Sequence, residues 1–229
     1  MRQSKHSKTL NTIQQRIPRE YWVWRGVRIS AVVLALLIFL QLATAVGQGT
    51  TMEFDRYVLL SVHTTASGLQ DAVWWMVTQF GGVAAAVVAI GAVVAVLYRK
   101  EHISRAVQFA VGVGGAMVLS TVLKLLFERV RPDLWQQIIF EASYSFPNGH
   151  AIASSAIAFS LIAVLWHTKW RTVSIVGGVI YMMLIGYSRL YLGVHYPTDI
   201  MAGWLVALMW IIFVSLVFDS WHQMRASRD

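Results

Sequence analysis

Six apolar runs, separated by short polar segments, dominate this chain of 229 residues. Within a few residues they cover Ile29–Val46, Val73–Leu97, Ala106–Phe127, Ala151–Trp166, Thr172–Leu192 and Ile200–Phe218. A helix rises about 1.5 Å per residue, so roughly 17–25 apolar residues cross the hydrocarbon of a bilayer. Five of the runs are apolar on every face, as spanning helices are. The fourth is shorter and polar at its start, which fits a helix whose outer end lines a water-filled site. Barrel strands would be shorter and would alternate. The expected fold is therefore all-α: a polytopic membrane protein built as a six-transmembrane-helix bundle. Composition agrees, with 57% hydrophobic and 13% charged residues and a mean hydropathy of +0.57. The absence of cysteine excludes disulfides, thiolate nucleophiles and cysteine-based metal centres.

Charge sets the expected orientation. Of 19 Lys and Arg residues, seven precede the first run: Arg2, Lys5, Lys8, Arg16, Arg19, Arg25 and Arg28. With that end in the cytoplasm, Arg99, Lys100, Arg105, Lys169, Arg171, Arg225 and Arg228 also fall inside, making 14 of 19. Such an excess is the positive-inside pattern. It divides the chain into a cytoplasmic basic segment (1–28), a membrane domain (29–218) and a cytoplasmic tail (219–229). Although the net charge is +8, no aromatic-basic fold accompanies it, so no nucleic-acid partner is expected. Ala43-Thr44-Ala45 matches a signal-peptidase site, but the long basic flank and the spanning length of the run favour a retained helix. The amphipathic stretch Phe54–His63 is expected to lie on the outer surface. The tryptophans near run ends, such as Trp74, Trp75 and Trp166, read as an aromatic belt.

Three polar clusters interrupt this pattern: Lys124-x6-Arg131-Pro132, Pro147-Asn148-Gly149-His150 and Ser188-Arg189-x5-His195-x3-Asp199. The topology puts all three on the non-cytoplasmic side, and ionisable groups beside hydrocarbon mark function by default. Lys124 and Arg131 offer a point charge and a planar fork to phosphate oxygens; both, like Arg129, also fit snorkelling at a helix end. Pro132 is expected to stop the third helix. Glu128 fits a surface partner for Lys124. In the second cluster, Gly149 permits close approach of the backbone and Asn148 adds a side-chain N–H, which together suit an anion at a helix N-terminus. Taken alone, His150 reads as a satisfied structural histidine. In the third, Asp199 stands four residues after His195, where it can bond one ring nitrogen and leave the other free to attack. Zinc is the rival reading of that pair, opposed by the neighbouring cations.

Taken together, the three strings resemble the signature of the type-2 phosphatidic acid phosphatase (lipid phosphate phosphatase) superfamily: Lys-x6-Arg-Pro, Pro-Ser-Gly-His and Ser-Arg-x5-His-x3-Asp. The first and third match in full; the second carries Asn148 where the pattern has serine. The resemblance extends over residues 29–218. It implies that His195 is the nucleophile, supported by Asp199, and that His150 is the general acid and then the base. Lys124, Arg131, Arg189, Asn148 and the Gly149 N–H would hold the phosphate.

No metal or other cofactor enters that scheme. The substrate would be a lipid phosphate such as undecaprenyl pyrophosphate, phosphatidylglycerol phosphate or phosphatidic acid, met at the outer face of a bacterial cytoplasmic membrane. Two alternatives stay open: a lipid phosphotransferase using the same phosphohistidine, and, from another class, a transporter or inactive membrane scaffold. A vanadium haloperoxidase shares the anion site but needs a soluble helical body. Substrate choice and oligomeric state are not legible here.

Overall fold

A computed structural model describes residues 19–226. All regular structure among them is helical: α1 (Arg19–Gly47), α2 (Met52–His63), α3 (Gly68–Gln79), α4 (Val83–Arg99), α5 (Ile103–Phe127), α6 (Gly149–Leu165), α7 (Arg171–Tyr191) and α8 (Pro197–Ala226). By length and apolarity α1, α5, α7 and α8 can each cross a bilayer, and α3 with α4, bent at a short break, is long and apolar enough to make a fifth. The sixth expected crossing is α6, only 17 residues long. The chain is thus a multi-pass helical membrane protein, and the count of six is approximate.

Two expectations need correction. The run Val73–Leu97 is not one helix; it breaks at Phe80–Gly82 with a bend of 47°. A side chain on Gly81 would collide with Ile185 of α7, so the glycine lets α7 pack into the break. The Phe80 carbonyl, released from the helix ladder, accepts from the Tyr181 hydroxyl at 2.6 Å, as a broken helix in an apolar medium requires. Nor does Pro132 end α5. The helix stops at Phe127, and Glu128 adopts the left-handed conformation (φ 47°) while its N–H still reaches the Lys124 carbonyl. Arg131 therefore lies in an irregular segment beyond the helix rather than two turns along it.

Helix α6 is the centre of the bundle and packs against α5, α7 and α8. Its small residues, Ala151, Ala153, Ser154, Ser155, Ala156 and Ala158, are buried. Small side chains let neighbouring backbones come close where no hydrophobic effect drives helices together. Ser154 and Ser155 return their hydroxyls to the Ala151 carbonyl, so neither leaves a polar group unmet. Helix α1 buries one stripe, Ala35, Phe39 and Ala43, at the four-residue spacing of a helix face. It packs on α8, and Arg28 pairs with Asp219 at 2.6 Å. The described ends of the chain therefore meet at one end of the bundle. The site lies at the other, since α8 carries the chain about 45 Å from Pro197. Arg19–Arg28 and Asp219–Ala226 continue α1 and α8, while residues 1–18 and 227–229 of the expected flanking segments lie outside the described residues.

Candidate active site

Three helix ends converge: the exit of α5, the start of α6, and the turn from α7 to α8. That turn depends on Gly193, whose positive φ of 69° ends α7 and lets the Trp135 indole pack where a side chain would stand. His195 follows, buried, with Pro197 opening α8 and Asp199 on its first turn. His195 Nδ1 lies 3.3 Å from Asp199 Oδ2 and 3.3 Å from Ser145 Oγ. Its other nitrogen, Nε2, is 2.9 Å from Arg131 Nη1. A guanidinium can only donate, so Nε2 accepts and the ring proton sits on Nδ1, toward the carboxylate. Burial, and then Arg131, Arg189 and Lys124, hold the His195 pKa well below the usual histidine range. The ring is neutral, with its lone pair aimed among cations.

Those cations are held in place by the loop between α5 and α6. Arg131 donates to the Ser143 and Val194 carbonyls at 2.7 and 2.8 Å. Burial lowers its pKa and the Glu141 and Asp199 charges oppose that shift; a guanidinium remains charged. Lys124 Nζ donates to Ser143 Oγ at 2.9 Å, and Arg131 donates to the same oxygen at 3.2 Å. Arg189, 1% exposed, donates to Thr78 Oγ1 at 2.8 Å and to the Glu141 carboxylate. Glu141 is also 3.7 Å from Arg131, so one carboxylate stands between two of the three cations.

At the start of α6, Asn148 is the N-cap: its Oδ1 accepts from the Ala151 N–H at 3.0 Å. That fixes the amide, and its Nδ2 is left buried without a partner, as is Nε of Arg189. Both are N–H donors in the site, suited to an acceptor such as a phosphate oxygen. Gly149 stands beside Lys124, whose Nζ would be 3.7 Å from a Cβ there. His150 packs against the α3–α4 break, where a Cβ on Gly82 would lie 3.5 Å from Nε2. It is within electrostatic reach of Arg189, His195, Lys124 and Arg131. The structure thus gathers Lys124, Arg131, Asn148, Gly149, His150, Arg189, His195 and Asp199 in one place.

The capping role gives a clean expectation. Asn148→Ala loses the cap and is expected to cost about 1 kcal/mol. Asn148→Ser keeps an oxygen for Ala151 and should unfold near the parent temperature while removing the orphan amide. Tryptophan fluorescence melts in detergent would check both; equal melts for the two variants would refute the cap.

Several neighbours are not evident from spacing. Arg129 does not snorkel. Its side chain is 9% exposed and pairs with Asp199 at 2.6 Å and Asp55 at 2.7 Å. Ser145 donates to Asp199, and Glu128 accepts from Tyr144 at 3.2 Å. Glu128 and Arg129 lie inside the Lys124–Arg131 string and Ser145 two residues before the Pro147 cluster, but spacing alone does not give their partners.

The chain resembles known proteins over the same region. The profile of the PAP2 superfamily matches residues 105–223. An undecaprenyl-diphosphatase of Sulfolobus acidocaldarius is 35% identical over 127 residues, 53% of this chain and 57% of that one. Phosphatidylglycerophosphatase B of Bacillus subtilis is 38% identical over 113 residues, 46% of this chain and 54% of that one. The aligned regions thus span little more than half the length of these curated relatives. In three dimensions, the crystal structure of a transmembrane PAP2-type phosphatidylglycerolphosphate phosphatase from Bacillus subtilis superposes with a TM-score of 0.74 at 25% identity. That match covers 82% of this chain and 96% of the other. With more than half its residues matched by the family profile, and all three clusters inside or at one end of a shared helical fold, this chain belongs to the PAP2 superfamily.

Proposed function

We propose that the protein is an integral membrane lipid phosphate phosphatase that works through a phosphohistidine. The observation that carries this reading is the His195 ring: neutral, proton held on Nδ1 toward Asp199, and Nε2 facing three cations. Nε2 attacks phosphorus in line with the departing oxygen, forming an N–P bond as the P–O bond to the lipid breaks. Asp199 stabilises the imidazolium as its charge develops. His150 gives a proton to the leaving oxygen, then takes one from the water that cleaves the N–P bond. Lys124, Arg131 and Arg189, with the orphan N–H groups of Asn148 and Arg189, stabilise the charge on the equatorial oxygens. A divalent ion among three fixed cations would be repelled, so the scheme is metal-independent.

The substrate class is a lipid monophosphate or diphosphate, with the head in the polar site and the tail among the helices. The activities named for the two curated relatives make undecaprenyl diphosphate and phosphatidylglycerol phosphate the first to assay, with phosphatidic acid beside them. The site then faces the outside of the cytoplasmic membrane, with residues 29–218 as the working domain and the flanking segments inside. Inorganic phosphate release from these three lipids in detergent micelles, with and without EDTA, tests the reading. Release without any acceptor lipid and undiminished by chelator is expected; strict dependence on added metal or on a second lipid would overturn it.

The depressed His195 pKa adds a pH signature. A protonated Nε2 cannot attack, so activity falls only as pH drops through the folded value, which lies below the ordinary value of about 6.5. The acid limb of kcat/KM is therefore expected below the ordinary histidine value. The unfolded chain binds this proton more readily, so stability held above about pH 6.5 is lost as pH falls toward the folded pKa. An acid limb at or above the ordinary histidine value would contradict the neutral buried ring.

A further inference from the structure

We propose that Asp55, on α2, is a positioning residue for the reaction, acting on His195 through Arg129 and Asp199. Asp55 lies ahead of the residues matched by the family profile and belongs to none of the three clusters. It is nonetheless completely buried, in a helix that otherwise buries only Leu59. Its Oδ1 accepts from the Thr198 N–H at 3.2 Å. Oδ2 accepts from the Thr198 hydroxyl at 2.8 Å, the Thr51 hydroxyl at 3.1 Å and Arg129 Nη2 at 2.7 Å. The other arm of that guanidinium, Nη1, donates to Thr198 Oγ1 at 2.8 Å and Asp199 Oδ1 at 2.6 Å. Arg129 is also stacked over the Tyr196 ring, 4.1 Å from its centroid.

This chain does two things. Through Thr198 it pins the first turn of α8, and a carboxylate at a helix N-terminus is electrostatically favoured there. It also sets the charge behind the nucleophile. Asp199 must face a developing imidazolium with its negative charge undiminished. A lone Arg129 against its Oδ1 would draw that charge away, strongly so in a buried, low-dielectric setting. Asp55 neutralises the far side of the guanidinium. Asp55, Arg129 and Asp199 together carry one net negative charge, the same as an isolated Asp199, but in a rigid, fully bonded array. Buried ion pairs are weak evidence for stability. Here the pair ends on the carboxylate that touches the reacting ring, which gives it a catalytic use.

The inference rests on the phosphohistidine reading, and charge balance separates it from a packing role. Asp55→Asn keeps the shape and can still accept from the Thr198 N–H through its Oδ1, but it removes the charge and turns an N–H donor toward Arg129; kcat is expected to fall about tenfold to hundredfold, as for other residues that orient a reacting group from behind. KM for the lipid and inhibition by inorganic phosphate should stay within about twofold, because the phosphate-facing groups are unchanged. Arg129→Gln leaves Asp55 and Asp199 without their cation and should cost at least as much. The double variant Asp55→Asn/Arg129→Gln restores the net charge of minus one and is expected to exceed both single variants in kcat. Losses that multiply in the double variant, or an Asp55→Asn enzyme with parental kcat, would overturn the proposal.

A readout without turnover keeps the two readings apart. In protein labelled with 15N-histidine, the His195 Nδ1–H signal, assigned by its loss in His195→Ala, should shift in Asp55→Asn and return toward its parental position in the double variant. A parent protein that releases no phosphate from any lipid sinks the phosphatase reading alone, and the Nδ1–H signal then decides the role of Asp55. An unmoved signal sinks Asp55.

Discussion

Replacing His195 with alanine is expected to lower kcat for phosphate release by at least about 10⁴-fold, since no other group can take over a covalent step. The nucleophile is the one component that the electrostatic cradle cannot replace. Lys124, Arg131 and Arg189 would still bind the phosphate, so inhibition of lipid binding is not expected. Nor is the fold at risk. Asp199 keeps its bonds from Ser145, from the Tyr196 N–H at 2.9 Å and from Arg129. Arg131 keeps the Ser143 and Val194 carbonyls. The cavity left is polar and can admit water. Two measurements check the result. Phosphate release should vanish while the protein still elutes as a folded species in detergent. Substrate labelled at the phosphate should leave acid-labile, alkali-stable label on the parent and none on the variant. Retained turnover, or label stable to acid, would remove His195 from the role.

Much of this site is legible in the chain because its chemistry is concentrated in short strings. A helix end, a capped helix start and a four-residue spacing are local features, and each brings its residues to a defined place. What was not legible depends on partners far away in sequence. Arg129 reads as a snorkelling cation until Asp55, in another helix, is seen to bond it. Asp55 itself reads as one acidic residue of an amphipathic surface stretch, yet it faces inward. Glu141 and Ser145 sit in a segment without periodicity, so nothing local places them against Arg189 or His195. The bend at Gly81–Gly82 is not legible in the sequence for a different reason. Hydropathy averages across a glycine pair, and only the packing of Ile185 and Tyr181 shows why the helix must open there. The apolar runs are legible because the bilayer forces every backbone group to be paired within its own segment. The same constraint says nothing about which side chains meet at their ends.

The other large effect is expected at Arg189, and it has a counterpart of opposite sign. Arg189→Ala should lower kcat/KM by about 10²–10³-fold, the usual range for removing one preorganised donor from a developing charge. Arg189→Lys should recover only part, because an ammonium keeps the charge but loses the planar fork. Glu141 behaves in the reverse way. Its carboxylate bonds Arg189 and approaches Arg131 to 3.7 Å, which is the position a phosphate oxygen would take between the same cations. If these cations hold the phosphate, as proposed, substrate displaces it. The side chain is 26% exposed, so the pair is partly screened, and Glu141→Gln should lower the inhibition constant for inorganic phosphate by about fivefold. A phosphate titration of both variants checks the pair, and the double variant is decisive. If Glu141 competes for the Arg189 guanidinium, Glu141→Gln should bring most of its gain only while Arg189 is present. A full gain in the Arg189→Ala background would mean that Glu141 acts through the general field of the site, and that the contact with Arg189 does not compete with phosphate.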